Sequence, residues 1–160
     1  MALAGLIKLD SPTVQRLGLM VFLQAVLNLR WTATWRKGDI SSAFLQGKAR
    51  DVDRLGRLYL EPPKRPLEGV QEGCLLEVAK SVYGLPDAPR AWFEELTGYL
   101  VEHLGFRHSR LDVAFLTWYH KEGVLRIMLT LHVDDLMIAG DGSPSTEATI
   151  EKLRERIPPW

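Results

Sequence analysis

An α+β fold, a small antiparallel sheet with helices on one face, is predicted by three observations. Two apolar, β-prone runs, Val124 to Val133 and Leu136 to Ala139, flank the adjacent carboxylates Asp134 and Asp135. They are too short and too β-branched to be one helix, so they read as two strands joined at the acidic pair. The second observation is helical spacing of apolar residues in two longer stretches, one beginning near Pro12 and one near Pro89. The third is the order of elements: helix, three strands, helix, strands, helix. Grouped strands of this kind favour an antiparallel sheet with the acidic hairpin at its centre.

Taken in order, Ser11 and Pro12 make a helix start, because Ser caps and Pro suits a first position whose N–H has no partner. The helix is expected to reach Arg30, covered on more than one side through Leu17, Met20, Val21, Leu23 and Leu27. Trp31 to Ile40 alternates as a strand and ends next to Asp39. Ser41 to Gln46 reads as a short helical turn closed by Gly47, and Arg50 to Arg57 as a charged loop. Leu58 to Leu60 is a short strand stopped by Pro62 and Pro63. Lys64 to Gly73 is a surface excursion, and Cys74 to Val78 another strand. Ser81 to Pro89 is a structured turn entering a helix to Leu104, with Trp92, Leu96, Tyr99, Leu100 and Leu104 on one face. Gly105 ends that helix. Val113 to Tyr119 is a strand, with Lys121-Glu122-Gly123 as its hairpin turn. After the acidic hairpin, Asp141 to Pro144 opens a last helix that stops at Pro158-Pro159.

Composition restricts function only loosely. The 160 residues suffice for one domain with a real core, and 46% hydrophobic with 25% charged residues is ordinary for a globular chain. Twenty basic and twenty acidic residues cancel, so there is no global signature of nucleic-acid binding, although a local basic groove remains open. The single Cys74 excludes an internal disulfide and a cysteine-rich zinc site. Leu17 to Leu29 is too short and too polar to span a membrane, and no targeting pattern precedes it.

The chemistry-bearing candidates are Asp39, Asp134 and Asp135. Asp39 closes one strand and the pair closes a hairpin, so the three can meet and hold a divalent cation. Alternatively, Asp-Asp is only turn chemistry. Adjacent strand residues point to opposite faces, so Asp134 and Asp135 serve differently unless the turn breaks that alternation. A lysine or histidine base beside Asp39 or Asp134 is not apparent, which disfavours a metal-dependent nuclease.

Three blocks in this order carry a resemblance: Asp39-Ile40-Ser41-Ser42-Ala43-Phe44-Leu45-Gln46-Gly47; Ser81-Val82-Tyr83-Gly84-Leu85 with Ala88-Pro89-Arg90-Ala91-Trp92; and Val133-Asp134-Asp135. Together they resemble the reverse transcriptase of copia-type LTR retrotransposons, over residues 11–156, with 1–10 as an N-terminal extension. The middle block is the most specific, since no general structural rule repeats it. The resemblance implies a palm-like antiparallel sheet backed by helices, with partial fingers. It also implies an RNA-directed DNA polymerase that transfers nucleotides from deoxynucleoside triphosphates to a primer 3′-hydroxyl on an RNA or DNA template.

Two Mg²⁺ or Mn²⁺ ions are implied as cofactors, held by Asp39, Asp134, Asp135 and the Ile40 carbonyl. Such ions clamp the attacking and leaving oxygens, and Mg²⁺ takes hard oxygen donors. The resemblance places Phe44 under the incoming sugar, where its ring would exclude a 2′-hydroxyl; from the residues alone Phe44 reads as a core residue of the short helix. Asp87 and Ala88 would lie against the nucleotide and template. Arg90 either contacts phosphate there or pairs with Glu94 one helical turn on. Trp92 reads as core.

In four respects the chain departs from the family pattern. His132 stands where a tyrosine near the primer end is usual, and Asp87 where glutamine is usual, so that Asp87 either turns away or weakens nucleotide binding. The basic finger segment expected upstream of Ser11, and the thumb and RNase H domain expected downstream, do not fall within residues 1–160. Little primer extension is therefore expected of residues 1–160 alone. Implied partners are the template-primer, the triphosphates and the rest of the retroelement polyprotein (thumb, RNase H, integrase), with no membrane; the family implies a cytoplasmic particle or the nucleus. The alternative function is a catalytically silent remnant that keeps the fold.

Overall fold

A computed structural model of the chain describes residues 11–65, 67–71, 73–120 and 123–157. The expected extension at 1–10, the turn residues Lys121 and Glu122, and the helix stop at 158–159 lie outside the described residues. The elements are α1 (Arg16–Asn28), β1 (Arg36–Asp39), a 3₁₀ turn (Ala43–Gln46), α2 (Val52–Leu55), β2 (Tyr59–Leu60), β3 (Leu76–Glu77), α3 (Ala88–Glu102), β4 (Arg107–His108), β5 (Phe115–Tyr119), β6 (Leu125–His132), β7 (Asp135–Gly140) and α4 (Pro144–Arg156). Five strands form one antiparallel sheet in the order β1-β7-β6-β5-β4, and β2 pairs with β3 apart from it. The α+β expectation holds, and the β6–β7 hairpin occupies the middle of the sheet.

Helices cover both faces of that sheet, where one face was expected. Side chains alternate along a strand, so the central strands feed two cores. Ile127, Leu129 and Leu131 of β6 with Leu136 and Ile138 of β7 pack against Trp92, Leu96 and Leu100 of α3 and Ile150 and Leu153 of α4. Phe115, Met128 and Ala139 point the other way, onto Phe22 and Val26 of α1. Such two-sided burial explains why β6 reads as a near-continuous apolar run.

The start of α1 differs from expectation because long-range contacts claim the N–H groups just before it. Val14 N–H donates to the Leu131 carbonyl (2.8 Å), and Gln15 N–H to the Asp112 carboxylate (2.7 Å). Residues 11–15 therefore lie outside the helix, stitched to the end of β6 and capped by Asp112 rather than Ser11. Nor is α1 covered all round. Gly18, Phe22 and Val26, spaced by four, meet the sheet, while Leu17, Met20 and Leu27 are 63%, 58% and 62% exposed.

Strand β1 is shorter than expected. Arg30 takes a positive φ (59°), and residues 32–34 form a turn in which the Thr34 hydroxyl donates to the Trp31 carbonyl (2.9 Å). The apparent alternation at Trp31, Ala33 and Trp35 thus belongs to a turn. The loop expected at Arg50 to Arg57 contains the single turn α2, and β4 was not anticipated. Among the described residues no helix is long and apolar enough to cross a membrane.

Candidate active site

Asp39 is the last residue of β1 and Asp135 the first of β7, and the strand register places them directly opposite one another. Cross-strand partners share a face. Alternation with Met137 and Ala139 puts Lys37, Asp39 and Asp135 on the α1 side of the sheet. His132 pairs with Asp135 across the hairpin, leaving Val133 and Asp134 as its two-residue turn. Beyond β1, the Ile40 N–H donates to the Asp134 carbonyl (2.8 Å), which ties the end of β1 to that turn. The three aspartates therefore occupy one end of two paired strands, although Asp39 comes from a distant part of the sequence.

Their grouping is looser than a closed ligand sphere. Among the described residues no three His, Cys, Asp or Glu side chains are gathered closely enough to hold a metal ion. Asp39 is exposed, and the Lys37 ammonium lies 3.0 Å from the Asp135 carboxylate. This lysine was missed in the sequence, where no base was apparent near the acids. Its signal was available only as spacing: Lys37 lies two residues before Asp39 and so shares its face. A cavity of about 400 Å³ beside the pair is lined by Val14, Leu19, Lys37, Thr130, His132 and Asp135, among others.

Of the other sequence candidates, Asp87 and Arg90 line a different cavity, of about 230 Å³, between the start of α3 and the Lys48–Asp51 segment. Asp87 is held there by Arg50 (3.2 Å), with both side chains largely buried, so its carboxylate is neutralised within the fold. Arg90 makes the helical pair with Glu94 (2.6 Å). Ala88 is fully buried at the start of α3, its N–H donating to the Leu85 carbonyl (3.1 Å). Phe44 packs in the α3-side core, with its ring centroid 4.6 Å from that of the exposed Tyr83. Trp92 is buried as expected, and its indole N–H donates to the Val133 carbonyl (3.1 Å).

Behind the hairpin, Asp141 binds the end of β7 to α4. It accepts from the Thr146 hydroxyl (2.6 Å) and the Ser143 N–H (3.0 Å), and it pairs with Arg126 of β6. Burial alone would raise the Asp141 pKa, but donation from Thr146, Arg126 and Ser143 outweighs it and holds the carboxyl well below the usual range.

Comparison with known proteins decides the ancestry. A family profile described as reverse transcriptase (RNA-dependent DNA polymerase) matches residues 7–157. The chain belongs to this reverse transcriptase family. Among similar proteins is the retrovirus-related Pol polyprotein from transposon RE1 of Arabidopsis thaliana, 27% identical over 147 residues. That match covers 92% of this chain and 9% of the relative. The transposon Ty1-DR4 Gag-Pol polyprotein of Saccharomyces cerevisiae is 29% identical over 146 residues, covering 91% of this chain and 8% of the relative. The chain thus spans less than a tenth of the length of these curated relatives. No solved structure matches it. The copia-type resemblance read from the three motif blocks is borne out.

Proposed function

We propose that residues 11–156 are the palm, with part of the fingers, of an RNA-directed DNA polymerase from a retroelement polyprotein. In this reading Asp39, Asp134 and Asp135 hold the divalent cations. The observation that carries it is the register that sets Asp39 against Asp135 at the mouth of the acidic hairpin. The donor set fits Mg²⁺ or Mn²⁺ chemically: hard carboxylate oxygens, exposed to solvent on the Asp39 side, with room for substrate oxygens to complete the shell. Two such ions, when bound, neutralise charge on the triphosphate and activate the primer hydroxyl.

The chain's own residues supply positioning. The Ile40 N–H fixes the turn through the Asp134 carbonyl, leaving the Ile40 carbonyl as a further oxygen donor in this reading. Lys37 neutralises Asp135 until a cation displaces it. His132, opposite Asp135 in the hairpin, would meet the primer end in this reading. Phe44 would lie under the sugar, and Ala88, Asp87 and Arg90 would lie against nucleotide and template. Template-primer, deoxynucleoside triphosphates and the remaining polyprotein domains are the partners this reading requires.

One observation favours the alternative, a silent remnant: Asp87 and Arg90 are both engaged in internal ion pairs, with Arg50 and Glu94. Deoxynucleotide incorporation on a primed RNA template, with Mg²⁺ or Mn²⁺, separates the two. The polymerase reading expects little extension from this chain alone, and Asp134-dependent extension when it is part of a longer Pol polypeptide. No extension by the longer polypeptide would support the remnant.

A further inference from the structure

The turn that carries Asp134 is strained, and a buried side chain from another element grips it. Val133 has a φ of 60°, whereas Asp134 is not among the residues with positive φ. This is the φ pattern of a type II′ hairpin turn, whose first central position suits glycine. A β-branched residue there is a conformational outlier that surrounding structure must hold in place. Two hydrogen bonds reach the turn from outside the hairpin. The Trp92 indole N–H donates to the Val133 carbonyl (3.1 Å), and the Ile40 N–H to the Asp134 carbonyl (2.8 Å). Trp92 is 1% exposed, on α3 and within the core that includes Ile40, Phe44, Leu131 and Leu136. Its indole N–H is therefore a fixed donor, and Val133 packs against the same core.

We propose that Trp92 is a positioning residue, acting through the Val133 carbonyl to hold the strained turn that sets Asp134 and Asp135 beside Asp39. The inference rests on the reading of these aspartates as the metal site, and goes beyond it by assigning their alignment to a side chain that touches neither metal nor substrate. A purely structural Trp92 needs only its ring. A positioning Trp92 needs its N–H as well, because without that bond Val133 relaxes toward extended backbone and turns the residue after it.

Trp92→Phe keeps a buried ring and removes the donor, while Val133→Gly removes the conformational penalty the donor opposes. Two properties of the 160-residue chain are read: residue 133 Cα and Cβ chemical shifts without metal, and Mn²⁺ affinity by water-proton relaxation. Trp92→Phe is expected to move the residue 133 shifts toward extended values and to weaken Mn²⁺ binding about fivefold, the worth of one hydrogen bond. Adding Val133→Gly to Trp92→Phe is expected to restore affinity to within about twofold, because glycine adopts positive φ without strain.

Parent-like shifts or parent-like affinity in Trp92→Phe overturn the proposal, as does a double variant no better than the single one. Independently of any variant, the Trp92 indole proton of the parent is expected to exchange slowly with solvent, and fast exchange overturns the proposal. If the parent shows no Asp134-dependent Mn²⁺ binding, the metal-site reading falls and takes the proposal with it. A parent that binds Mn²⁺, with Trp92→Phe equal to it, removes the positioning role alone.

Discussion

Replacing Asp141 by alanine tests the frame that supports the hairpin. Its carboxylate, 18% exposed, pairs with Arg126, itself 29% exposed, and accepts from Thr146 and Ser143. Each hydrogen bond to a charged group contributes about 1.5–3 kcal/mol, but bonds in one network do not add. Arg126 would also lose its ion-pair partner while only partly reached by water. Together these give a loss of about 3 kcal/mol at pH 7, a large part of the stability of a single domain. Urea unfolding followed by tryptophan fluorescence measures it.

The pH dependence has a definite sign. The folded-state pKa of Asp141 is depressed, so its contribution is complete above the unfolded pKa near 4 and is lost as pH falls below it. The loss runs at about 1.4 kcal/mol per pH unit. The gap between parent and Asp141→Ala should therefore shrink by about 1 kcal/mol between pH 7 and pH 3. Other carboxylates titrate in both proteins and cancel in the difference. A gap below about 1 kcal/mol at pH 7, smaller than a single such bond, or one that stays constant down to pH 3, would refute the reasoning.

Three further outcomes follow from the same geometry. Gly140→Ala should destabilise by about 2 kcal/mol in the same assay, because its Cβ would meet the Thr146 methyl and sit 2.9 Å from the Arg126 carbonyl oxygen; a neutral substitution would show that β6 and β7 can part there. Lys37→Met should tighten Mn²⁺ binding roughly threefold at low salt and less at high salt, as for an exposed ion pair, since it frees the Asp135 carboxylate; unchanged affinity at low salt counts against Asp135 as a ligand. Mg²⁺ or Mn²⁺ should raise the melting temperature by binding the folded state, and Asp134→Asn should abolish most of that rise; an equal rise in both proteins would place the cation elsewhere.

What could be read from the sequence was what short-range pattern determines. The period of α3, the apolar runs of β6 and β7, and the Gly47-closed 3₁₀ turn all follow from neighbouring residues. The start of α1 was not legible, because the group that caps it, Asp112, is nearly a hundred residues away. The turn at 32–34 carries a strand-like alternation, and the positive φ of Arg30 and the Thr34 bond to Trp31 set it apart. Two-sided cover of the sheet had its signal in β6, which is apolar on both faces where one buried face would not require it. In the candidate site, motifs picked out the three aspartates, and the strand register set Asp39 against Asp135. Lys37 on Asp135 showed only as its spacing from Asp39, and Arg50 on Asp87 and the Trp92 indole on Val133 are tertiary contacts with no local signature.

Whether the acidic end of the hairpin is a metal site is tested most directly by Mn²⁺ titration of the ¹⁵N-labelled chain, followed by paramagnetic broadening of backbone resonances. Broadening is expected to centre on Asp39, Ile40, Asp134 and Asp135 and to be greatly reduced in Asp134→Asn. Broadening centred elsewhere, with these four resonances sharp, would contradict it.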